Sequence, residues 1–439
     1  MAPLKVGLAG LGTVGSAVVK MLAQSREQLT ERAGRPIELV VYASKDPPKD
    51  KSIDLSKLKQ VADPVALAKD PGIDVFVELM GGEGDPAKSA VEAALSAGRA
   101  VVTANKALIA KHGNALARLA EKNDAAFAFE ASVGGGIPVV KTLREGLGGA
   151  KVSRVFGILN GTCNYILTKM QQEQRTFADC LKEAQRLGYA EADPTFDIGG
   201  FDTAHKMAIL TSLAFGTEID ADAAHVEGIE AITLADLQAA DQLGYKIKLL
   251  GVASRTDAGI EQRVHPTMVP KGSTIGGVDG VLNAVAIDSD AMSVTLVGPG
   301  AGGPATSSAV VADLVDIARG RLSPPLGRAA AHLTKPKQAP IQRHEGGYYI
   351  RLAALDRPGT MAAISRAMAA ENISLESIVQ RHANARPHGG DDPKSAAGPA
   401  PVILITYATN EDAVRRALAA IEREGVLAEA PQMIRIEKS

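Results

Sequence analysis

The hydrophobic positions of the first 130 residues follow two alternating periods. Continuous apolar runs of strand length lie at residues 4–10, 37–42, 73–79, 100–103 and 126–130. Between these runs, apolar residues recur at helical spacing over residues 14–28, 64–69, 87–97 and 107–121. Buried strands that alternate with helices are typical of a parallel sheet with helices on both faces. The pattern therefore predicts an α/β fold, a Rossmann-type doubly wound parallel sheet, over residues 1–135.

The periodicity changes after the glycine cluster Gly134–Gly136. Pro138 opens a helix that runs to Leu147, and two more helices are predicted at residues 177–187 and 203–215. Strands are predicted at residues 153–159, 246–253, 262–268, 284–289 and 292–297. This mixture predicts an α+β domain over residues 136–320, whose last helix (305–319) is expected to pack back on the first domain.

Residues 321–346 are rich in proline, alanine and charge, which predicts a linker. The remaining part, residues 347–439, predicts a small βαββαβ domain. Its elements are expected at residues 348–355, 360–371, 375–381, 402–408, 411–424 and 431–437. Between the two middle strands, residues 383–400 are polar and rich in proline and glycine, so we expect a disordered loop there.

The composition narrows the class of protein. Hydrophobic residues make up 46% and charged residues 22% of the chain, as in ordinary globular domains, and the formal charge is −2. The sequence has no basic stripe of the kind that binds nucleic acid, so nucleic-acid binding is not expected. No apolar run reaches the roughly 20 residues of a membrane span. The first residues lack a signal-peptide layout. Only two cysteines are present, so we expect a cytoplasmic protein without a disulfide framework.

A glycine-rich turn follows the first strand. Its sequence, Gly10-Leu11-Gly12-Thr13-Val14-Gly15, matches G-x-G-x-x-G between a strand and a helix. In such a turn Gly10 permits a tight bend, Gly12 lets the backbone approach a pyrophosphate, and Gly15 allows close helix–strand packing. The helix N-terminus then faces the anion. We therefore expect a dinucleotide site here.

The end of the second strand bears on the choice of dinucleotide. Ala43-Ser44-Lys45-Asp46 stands there. A cation at this point suits the additional phosphate of NADP, whereas an acid suits the ribose hydroxyls of NAD. Lys45 favours NADP, but the adjacent Asp46 leaves NAD open, and Lys45 could also be a solvated surface lysine.

Two lysines stand where chemistry is expected. Lys106 follows a strand end, and Lys206 lies in an apolar helix with Asp202 four residues before it, on the same face. A lysine ammonium aimed at a carbonyl oxygen can stabilise developing charge and deliver a proton. A second lysine nearby would lower the first one's pKa. The loop Gly188–Asp197 adds three carboxylates, which could bind an ammonium group or a metal, or could simply be solvated.

Several motifs, in this order, resemble those of homoserine dehydrogenases across residues 4–320. They are GLGTVG, VTANKALIA, EASVGGGIPVVKTLREGL, GILNGTCNYIL, LGYAEADPTFDIGGFDTAHK and GPGAGGPATSSAVVADL. The last domain, with Asp356-Arg357-Pro358-Gly359, resembles an ACT domain. The resemblance implies NAD(P)-dependent, reversible reduction of L-aspartate 4-semialdehyde to L-homoserine in threonine, methionine and isoleucine biosynthesis. It also implies a homodimer through the second domain or a homotetramer, and a threonine effector.

The resemblance assigns roles to matching positions. Lys206 is expected to donate and accept the proton, with Lys106 beside it contacting substrate and cofactor. The substrate is expected to be held by Glu191, Asp197, Asp202, Thr162, Gly188 and Tyr189. The cofactor is expected to contact the backbone of Leu11, Thr13 and Val14, with Gly303 closing over it. A monovalent cation, usually sodium, is expected at Glu130, Val133, Gly135 and Ile137, mainly on carbonyl oxygens.

Some features remain outside this assignment. The family commonly has an arginine where Lys45 stands, which leaves the cofactor choice open. His205 is interpreted as a core or supporting residue and Cys163 as packing, and no His/Cys cluster has metal-ligand spacing. The alternatives are a non-catalytic sensor of nucleotide and amino acid, and another NAD(P)-dependent amino-acid dehydrogenase. A kinase-fused bifunctional enzyme is not expected, because no segment precedes the strand at Leu4.

Overall fold

The computed structural model describes residues 1–321, 323–380 and 399–437. The strands of the first domain are β1 (Leu4–Ala9), β2 (Ile37–Ala43), β3 (Lys59–Gln60), β4 (Val75–Glu78), β5 (Ala100–Thr103) and β6 (Phe127–Ala128). Its helices are α1 (Thr13–Gln24), α2 (Arg26–Ala33), α3 (Pro64–Ala68), α4 (Ala87–Ser96) and α5 (Lys106–Lys122). The strands pair in parallel in the order β3-β2-β1-β4-β5-β6. The doubly wound parallel sheet is therefore confirmed.

The strand order reverses between β1 and β4, which defines the crevice where ligands bind in such sheets. Leu8 on β1 pairs with Tyr42 on β2 and with Val77 on β4, and both faces of the sheet are covered. One predicted strand is shorter than expected, because the chain bends into a 3-10 turn at Glu130–Ser132 directly after β6. That turn begins the passage into the second domain.

The second domain is the predicted mixture of helices and antiparallel strands. Its strands are β7 (Val152–Ile158), β8 (His225–Val226), β9 (Tyr245–Thr256), β10 (Gly259–Pro270), β11 (Leu282–Ser289) and β12 (Ser293–Pro299). Its helices are α6 (Val139–Lys141), α7 (Gly161–Glu173), α8 (Phe177–Arg186), α9 (Thr195–Ile198), α10 (Phe201–Phe215), α11 (Leu234–Gln242) and α12 (Gly303–Ala318). The predicted helix 138–147 is divided into α6 and a π-helical turn at Thr142–Gly146. Helices α7 and α11 were not expected.

Helix α12 returns to the first domain, as predicted. Its residues Val310 and Leu314 share a buried cluster with Val18 and Leu22 of α1. Burying these aliphatic side chains contributes about 1.5–3 kcal/mol each. Because α12 begins at Gly303, this packing also carries the glycine-rich loop before it to the start of α1.

The third domain has the predicted βαββαβ order. Its elements are β13 (Glu345–Ala354), α13 (Thr360–Ala370), β14 (Leu375–Gln380), β15 (Ala400–Thr406), β16 (Thr409–Asn410), α14 (Glu411–Arg423) and β17 (Gln432–Ile436). Its main strands are antiparallel in the order β17-β13-β15-β14. Strand β17 also pairs with β10, so the second and third domains share one sheet. The loop predicted at 383–400 lies outside the described residues up to 398.

The predicted linker is held against the second domain. Thr334 forms a bridge with Thr217, and Gln338 forms one with Ile260. Leu326 is buried at 1% exposure. Among the described helices, none has the length and apolar character needed to cross a bilayer.

Candidate active site

The glycine-rich turn lies at the crevice between β1 and β4. Gly10 has φ +99°, and a Cβ there would come 2.5 Å from the carbonyl oxygen of Leu79. A Cβ on Gly15 would overlap the carbonyl oxygen of Gly10. A Cβ on Gly12, in contrast, would meet nothing within 4 Å. The protein itself therefore requires the first and third glycines, whereas the second leaves space for a ligand.

A cavity of about 370 Å³ opens beside this turn. Its lining includes Gly12 from the turn and Ser44, Lys45 and Asp46 from the end of β2. Lys49, which the sequence analysis missed, also lines it, and its backbone N–H donates to the Leu11 carbonyl at 3.2 Å. No motif marks Lys49, since it follows β2 by six residues in an irregular loop.

The start of α12 stands against the start of α1. Gly12 is the N-cap of α1, and no side chain caps that helix. A Cβ on Gly303 would come 3.1 Å from the Thr13 carbonyl oxygen. The predicted positions Thr13, Val14 and Gly303 are thus brought to one place, with the α1 N-terminus free to face an anion.

The two predicted lysines meet on one carboxylate. Lys206 Nζ donates to Asp202 Oδ2 at 2.8 Å and to the Leu159 carbonyl at 2.7 Å. Lys106 Nζ lies 3.0 Å from Asp202 Oδ1. Lys106 begins α5 after the N-cap Asn105, whose Oδ1 accepts from the Leu108 backbone N–H. A helix start after a parallel strand thus places Lys106 at the ligand edge of the sheet.

Asp202 and Lys106 change each other's pKa in opposite directions. Burial alone would raise the pKa of Asp202, but Lys206 and Lys106 hold it well below its ordinary range. Burial alone would lower the pKa of Lys106, yet Asp202 and other nearby carboxylates raise it above its ordinary value. Asp202 lies between the two ammonium groups and binds both, which the sequence did not predict.

Asp197 lies beside Asp202. Asn160 donates from Nδ2 to Asp197 Oδ1 and to Asp202 Oδ2, at 2.9 Å each. Burial, and then the neighbouring Asp202, raise the pKa of Asp197. The sequence analysis did not single out Asn160, although an asparagine between a buried strand and a helix is a frequent N-cap.

The loop before α9 carries the other predicted substrate residues. Thr162 Oγ1 donates to the Tyr189 carbonyl at 2.7 Å, which ties this loop to the first turn of α7. Gly188 takes a positive φ of +76°. The Glu191 side chain is exposed, and its charge contributes to the raised pKa of Lys106. The loop therefore lies at the open side of the lysine–carboxylate group.

The structure places His205 and Cys163 close to the site. The His205 ring packs edge-on against Phe196 with 5.3 Å between centroids, and its Nδ1 is buried with no hydrogen-bond partner among the described residues. Burial lowers its pKa. Cys163 is fully buried, its Sγ donates to the Asp197 carbonyl at 3.2 Å, and burial raises the thiol pKa. A protonated thiol in this position supports packing and makes a poor nucleophile.

The predicted cation residues form the turn between the first two domains. The Glu130 carboxylate accepts from the backbone N–H groups of Val140 at 3.0 Å and Lys141 at 2.7 Å. Burial, and then Asp313, raise its pKa to about 7. Within the described ranges, no three His, Cys, Asp or Glu side chains cluster as metal ligands. A cation here would have to rely on backbone carbonyls.

A dinucleotide turn and a buried lysine–carboxylate group thus lie on the same edge of one parallel sheet. Proton delivery from a lysine beside a nucleotide crevice suits hydride transfer to and from a carbonyl group. The class of protein that this fold and site define is a dinucleotide-dependent oxidoreductase.

Comparisons with known proteins give the family. The family model of homoserine dehydrogenase matches residues 138–315, and that of the homoserine dehydrogenase NAD-binding domain matches residues 10–130. Homoserine dehydrogenase of Pseudomonas aeruginosa is 45% identical, with 97% of each chain covered. The crystal structure of a homoserine dehydrogenase from Thiobacillus denitrificans matches with a TM-score of 0.91 at 42% identity, over 100% of this chain and 99% of that one. The chain belongs to the homoserine dehydrogenase family.

One further structural match includes a nucleotide in its name. It is a hyperthermophilic archaeal homoserine dehydrogenase in complex with NADPH, with a TM-score of 0.60 at 26% identity. It covers 72% of this chain and 97% of that one. The match extends over the greater part of this chain, but the remainder has no counterpart in the archaeal protein.

Proposed function

We propose that this chain catalyses the reversible, NAD(P)-dependent reduction of L-aspartate 4-semialdehyde to L-homoserine. The proposal rests on family membership and on one observation above all, that Lys206 and Lys106 share the Asp202 carboxylate at 2.8 and 3.0 Å. The bound nicotinamide supplies or takes up the hydride. The two lysines are proposed to stabilise the charge on the substrate oxygen and to protonate it during hydride transfer.

Lys206 is the proposed proton donor and acceptor. An ammonium group has three N–H donors, of which Leu159 and Asp202 take two in the described chain. The third is available for the substrate oxygen, where it would stabilise the developing charge and pass on the proton. Asp202 gives the buried ammonium a counter-ion at 2.8 Å, and Lys106 would add positive charge toward the cofactor side.

The carboxylates are proposed to hold the substrate's ammonium group. Glu191 and Asp197 lie on the loop that Thr162 ties to α7 through the Tyr189 carbonyl. A buried ammonium needs charged or hydrogen-bonding partners, and carboxylates supply both. Gly188 would give the loop its bend beside the substrate.

The cofactor is proposed to be NADP, with NAD as the alternative. Lys45 and Lys49 line the cavity beside Gly12, and two ammonium groups suit an additional phosphate. The pyrophosphate would take backbone N–H groups at Leu11, Thr13 and Val14, with Gly303 close by. The NADPH complex of the archaeal relative supports this assignment.

The test is nicotinamide absorbance with L-homoserine, comparing NADP with NAD. Lys206→Ala should lower kcat about 10²- to 10⁴-fold, the usual contribution of a positioned proton donor. Lys169→Ala is the matched control, because Lys169 also pairs with a carboxylate four residues away, but this pair is partly exposed near the end of α7. Near-normal turnover by Lys206→Ala would overturn the mechanism. Nucleotide binding without turnover of homoserine by the unaltered protein would favour the sensor alternative, and turnover of another amino acid a different dehydrogenase.

A structural cation, Na⁺, is proposed at the turn that contains Glu130, Val133, Gly135 and Ile137. Gly134 and Gly135 have φ +74° and +52°, which fold this turn tightly. In the described chain the Val133 and Gly135 carbonyls accept no hydrogen bond, so they fit as oxygen ligands. A thermal midpoint that rises when sodium replaces choline as the sole cation would support the site.

The third domain is proposed to be an ACT-type regulatory domain. Its order β17-β13-β15-β14 and a cavity of about 430 Å³ at Asp356–Thr360 support binding of an amino-acid effector such as threonine. The ends of the shared sheet, β12 and β14, carry exposed apolar residues including Val297 and Ile378, which suits a homodimer or homotetramer. Threonine titration in the activity assay and light scattering test these two points.

A further inference from the structure

Asn160 uses every hydrogen-bonding group of its side chain at the junction of β7 and α7. It is the N-cap of α7, where Oδ1 accepts from the Cys163 backbone N–H at 2.8 Å. Its Nδ2 donates to Asp197 and to Asp202 at 2.9 Å each. The residue is 4% exposed. A buried amide with both ends bound in this way has one orientation only, because the cap requires an acceptor and the carboxylates require donors.

The amide lies between two carboxylates that repel each other. Asp197 and Asp202 face the same Nδ2, and the charge of Asp202 contributes to the raised pKa of Asp197. Two N–H dipoles directed at the two carboxylates offset this repulsion in a buried setting. The preceding residue, Leu159, accepts from Lys206 Nζ through its carbonyl. The Leu159–Asn160 dipeptide therefore contacts both members of the Lys206–Asp202 pair.

The first turn of α7 adds two more ties to the same loop. Thr162 donates to the Tyr189 carbonyl and Cys163 to the Asp197 carbonyl. These bonds hold the backbone of the loop, whereas the Asn160 side chain binds the carboxylates of Asp197 and Asp202. Asp202 is also bound by the two lysines, so Asn160 bears most directly on the position of the Asp197 carboxylate.

We propose that Asn160 is a positioning residue for proton transfer, which holds the Asp197 and Asp202 carboxylates apart and thereby fixes the direction of the Lys206 ammonium. This inference rests on the proposed function. It adds to the lysines and carboxylates a residue that touches neither the hydride nor the transferred proton. A displacement of about 1 Å in such a group can cost about 10²-fold in rate.

The titratable groups around the amide come from several elements. They are Lys106 on α5, Cys163 on α7, Glu191 and Asp197 in the loop and α9, and Asp202, His205 and Lys206 on α10. Without the amide, Asp197 loses the donor that lowers its pKa and keeps the neighbour that raises it. The acid limb of the kcat/KM profile should then move to higher pH.

Asn160→Ser separates the two roles of the residue. Serine is as good an N-cap as asparagine, so α7 should keep its cap, but its hydroxyl is too short to reach both carboxylates. The matched control is Asn410→Ser, since Asn410 caps α14 through the Asp412 N–H far from the site. Asn160→Asp provides a second variant, which keeps the shape and the cap but directs a third carboxylate at the other two.

Steady-state kinetics with L-homoserine and thermal midpoints are measured for all variants. We expect Asn160→Ser to lower kcat about 10- to 100-fold with an unchanged KM for the cofactor. The acid limb of its kcat/KM profile should shift to higher pH, and its thermal midpoint should lie close to that of Asn410→Ser. Asn160→Asp should lose more of its kcat than Asn160→Ser. Wild-type kcat and pH profile in a folded Asn160→Ser would overturn the inference and leave only the cap. If the unaltered enzyme does not turn over homoserine, the proposed function fails and the inference falls with it.

Discussion

An alanine substitution should leave the stability of the fold unchanged at one glycine of the nucleotide turn and lower it at another. At Gly12 the backbone is extended, with φ −69° and ψ −158°, and an added methyl group meets nothing within 4 Å. Gly12→Ala should therefore fold normally, with a change in unfolding free energy within about 0.5 kcal/mol. At Gly15 the methyl group would overlap the Gly10 carbonyl, and neither backbone can move without opening the turn.

The methyl group added at Gly12 should lower the binding affinity for the nucleotide but not the stability of the fold. A methyl group there would keep a pyrophosphate from the free N–H groups at the start of α1. Hydrogen bonds to charged groups contribute about 1.5–3 kcal/mol each, so the loss of one such bond weakens binding about 10- to 100-fold. Gly15→Ala should lose binding as well, but together with about 1–3 kcal/mol of stability from overpacking.

The assay is NADPH fluorescence titration beside urea unfolding, on wild type, Gly12→Ala and Gly15→Ala. Gly149→Ala is the control, because a Cβ at Gly149 also meets nothing within 4 Å but lies in a loop away from the crevice. Wild-type affinity in Gly12→Ala would refute the reading of this space as the pyrophosphate position. Unchanged stability in Gly15→Ala would refute the packing argument instead.

Two further predictions concern buried charge. Lys248→Met should lower the unfolding free energy by about 2 kcal/mol, because the buried Lys248 ammonium donates to Asn164 and Val278 as well as to Asp279. Removing a buried charge offsets part of this loss. Lys246→Met should cost under about 1 kcal/mol in the same urea titration, since among the described residues the Lys246 ammonium binds only Asp279. Burial and Arg263 lower the pKa of His344 to about 4 in the folded protein. Between this value and the ordinary histidine pKa of about 6.5, the unfolded chain is protonated at His344 and the folded chain is not. The unfolding free energy should therefore fall by up to about 3 kcal/mol from pH 6.5 toward pH 4. His344→Gln should flatten that fall, and a slope equal to wild type would contradict the assignment.

Hydrophobic period and turn chemistry were enough to predict most of the fold. The parallel sheet is confirmed, and helix α12 and the βαββαβ order of elements lie where they were predicted, because each depends on local apolar spacing or on glycine turns. Helix α7 was missed because its sequence, GTCNYILTKMQQE, is buried through most of its first three turns and shows no clear apolar stripe. The early end of β6 was missed because Glu130 follows an apolar run without a breaker, and only tertiary contacts with α6 bend the chain there.

Only those contacts of the site that join residues close together in the sequence could be predicted. Asp202 and Lys206 are four residues apart on one helix, so their pairing follows from helix geometry. Asp202 is also the counter-ion of Lys106, which lies 96 positions earlier in the chain, and no local rule connects the two. The carboxylate that raises the pKa of Lys106 could not be predicted for that reason. Asn160 shows the same limit, since its cap is a local signal and its carboxylate partners are not.

One contact of the third domain leads toward the candidate site. Arg435 on β17, 2% exposed, binds Glu227 at 2.9 Å, and the residue after Glu227 packs on the turn beside the site. A Cβ on Gly228 would come 2.5 Å from the Ile198 carbonyl, one residue after Asp197. A ligand can shift activity only through a difference in affinity for two states of the protein. The segment from Glu227 to Gly228 is one route by which such a difference in the third domain would reach Asp197, because it touches β17 on one side and Ile198 on the other.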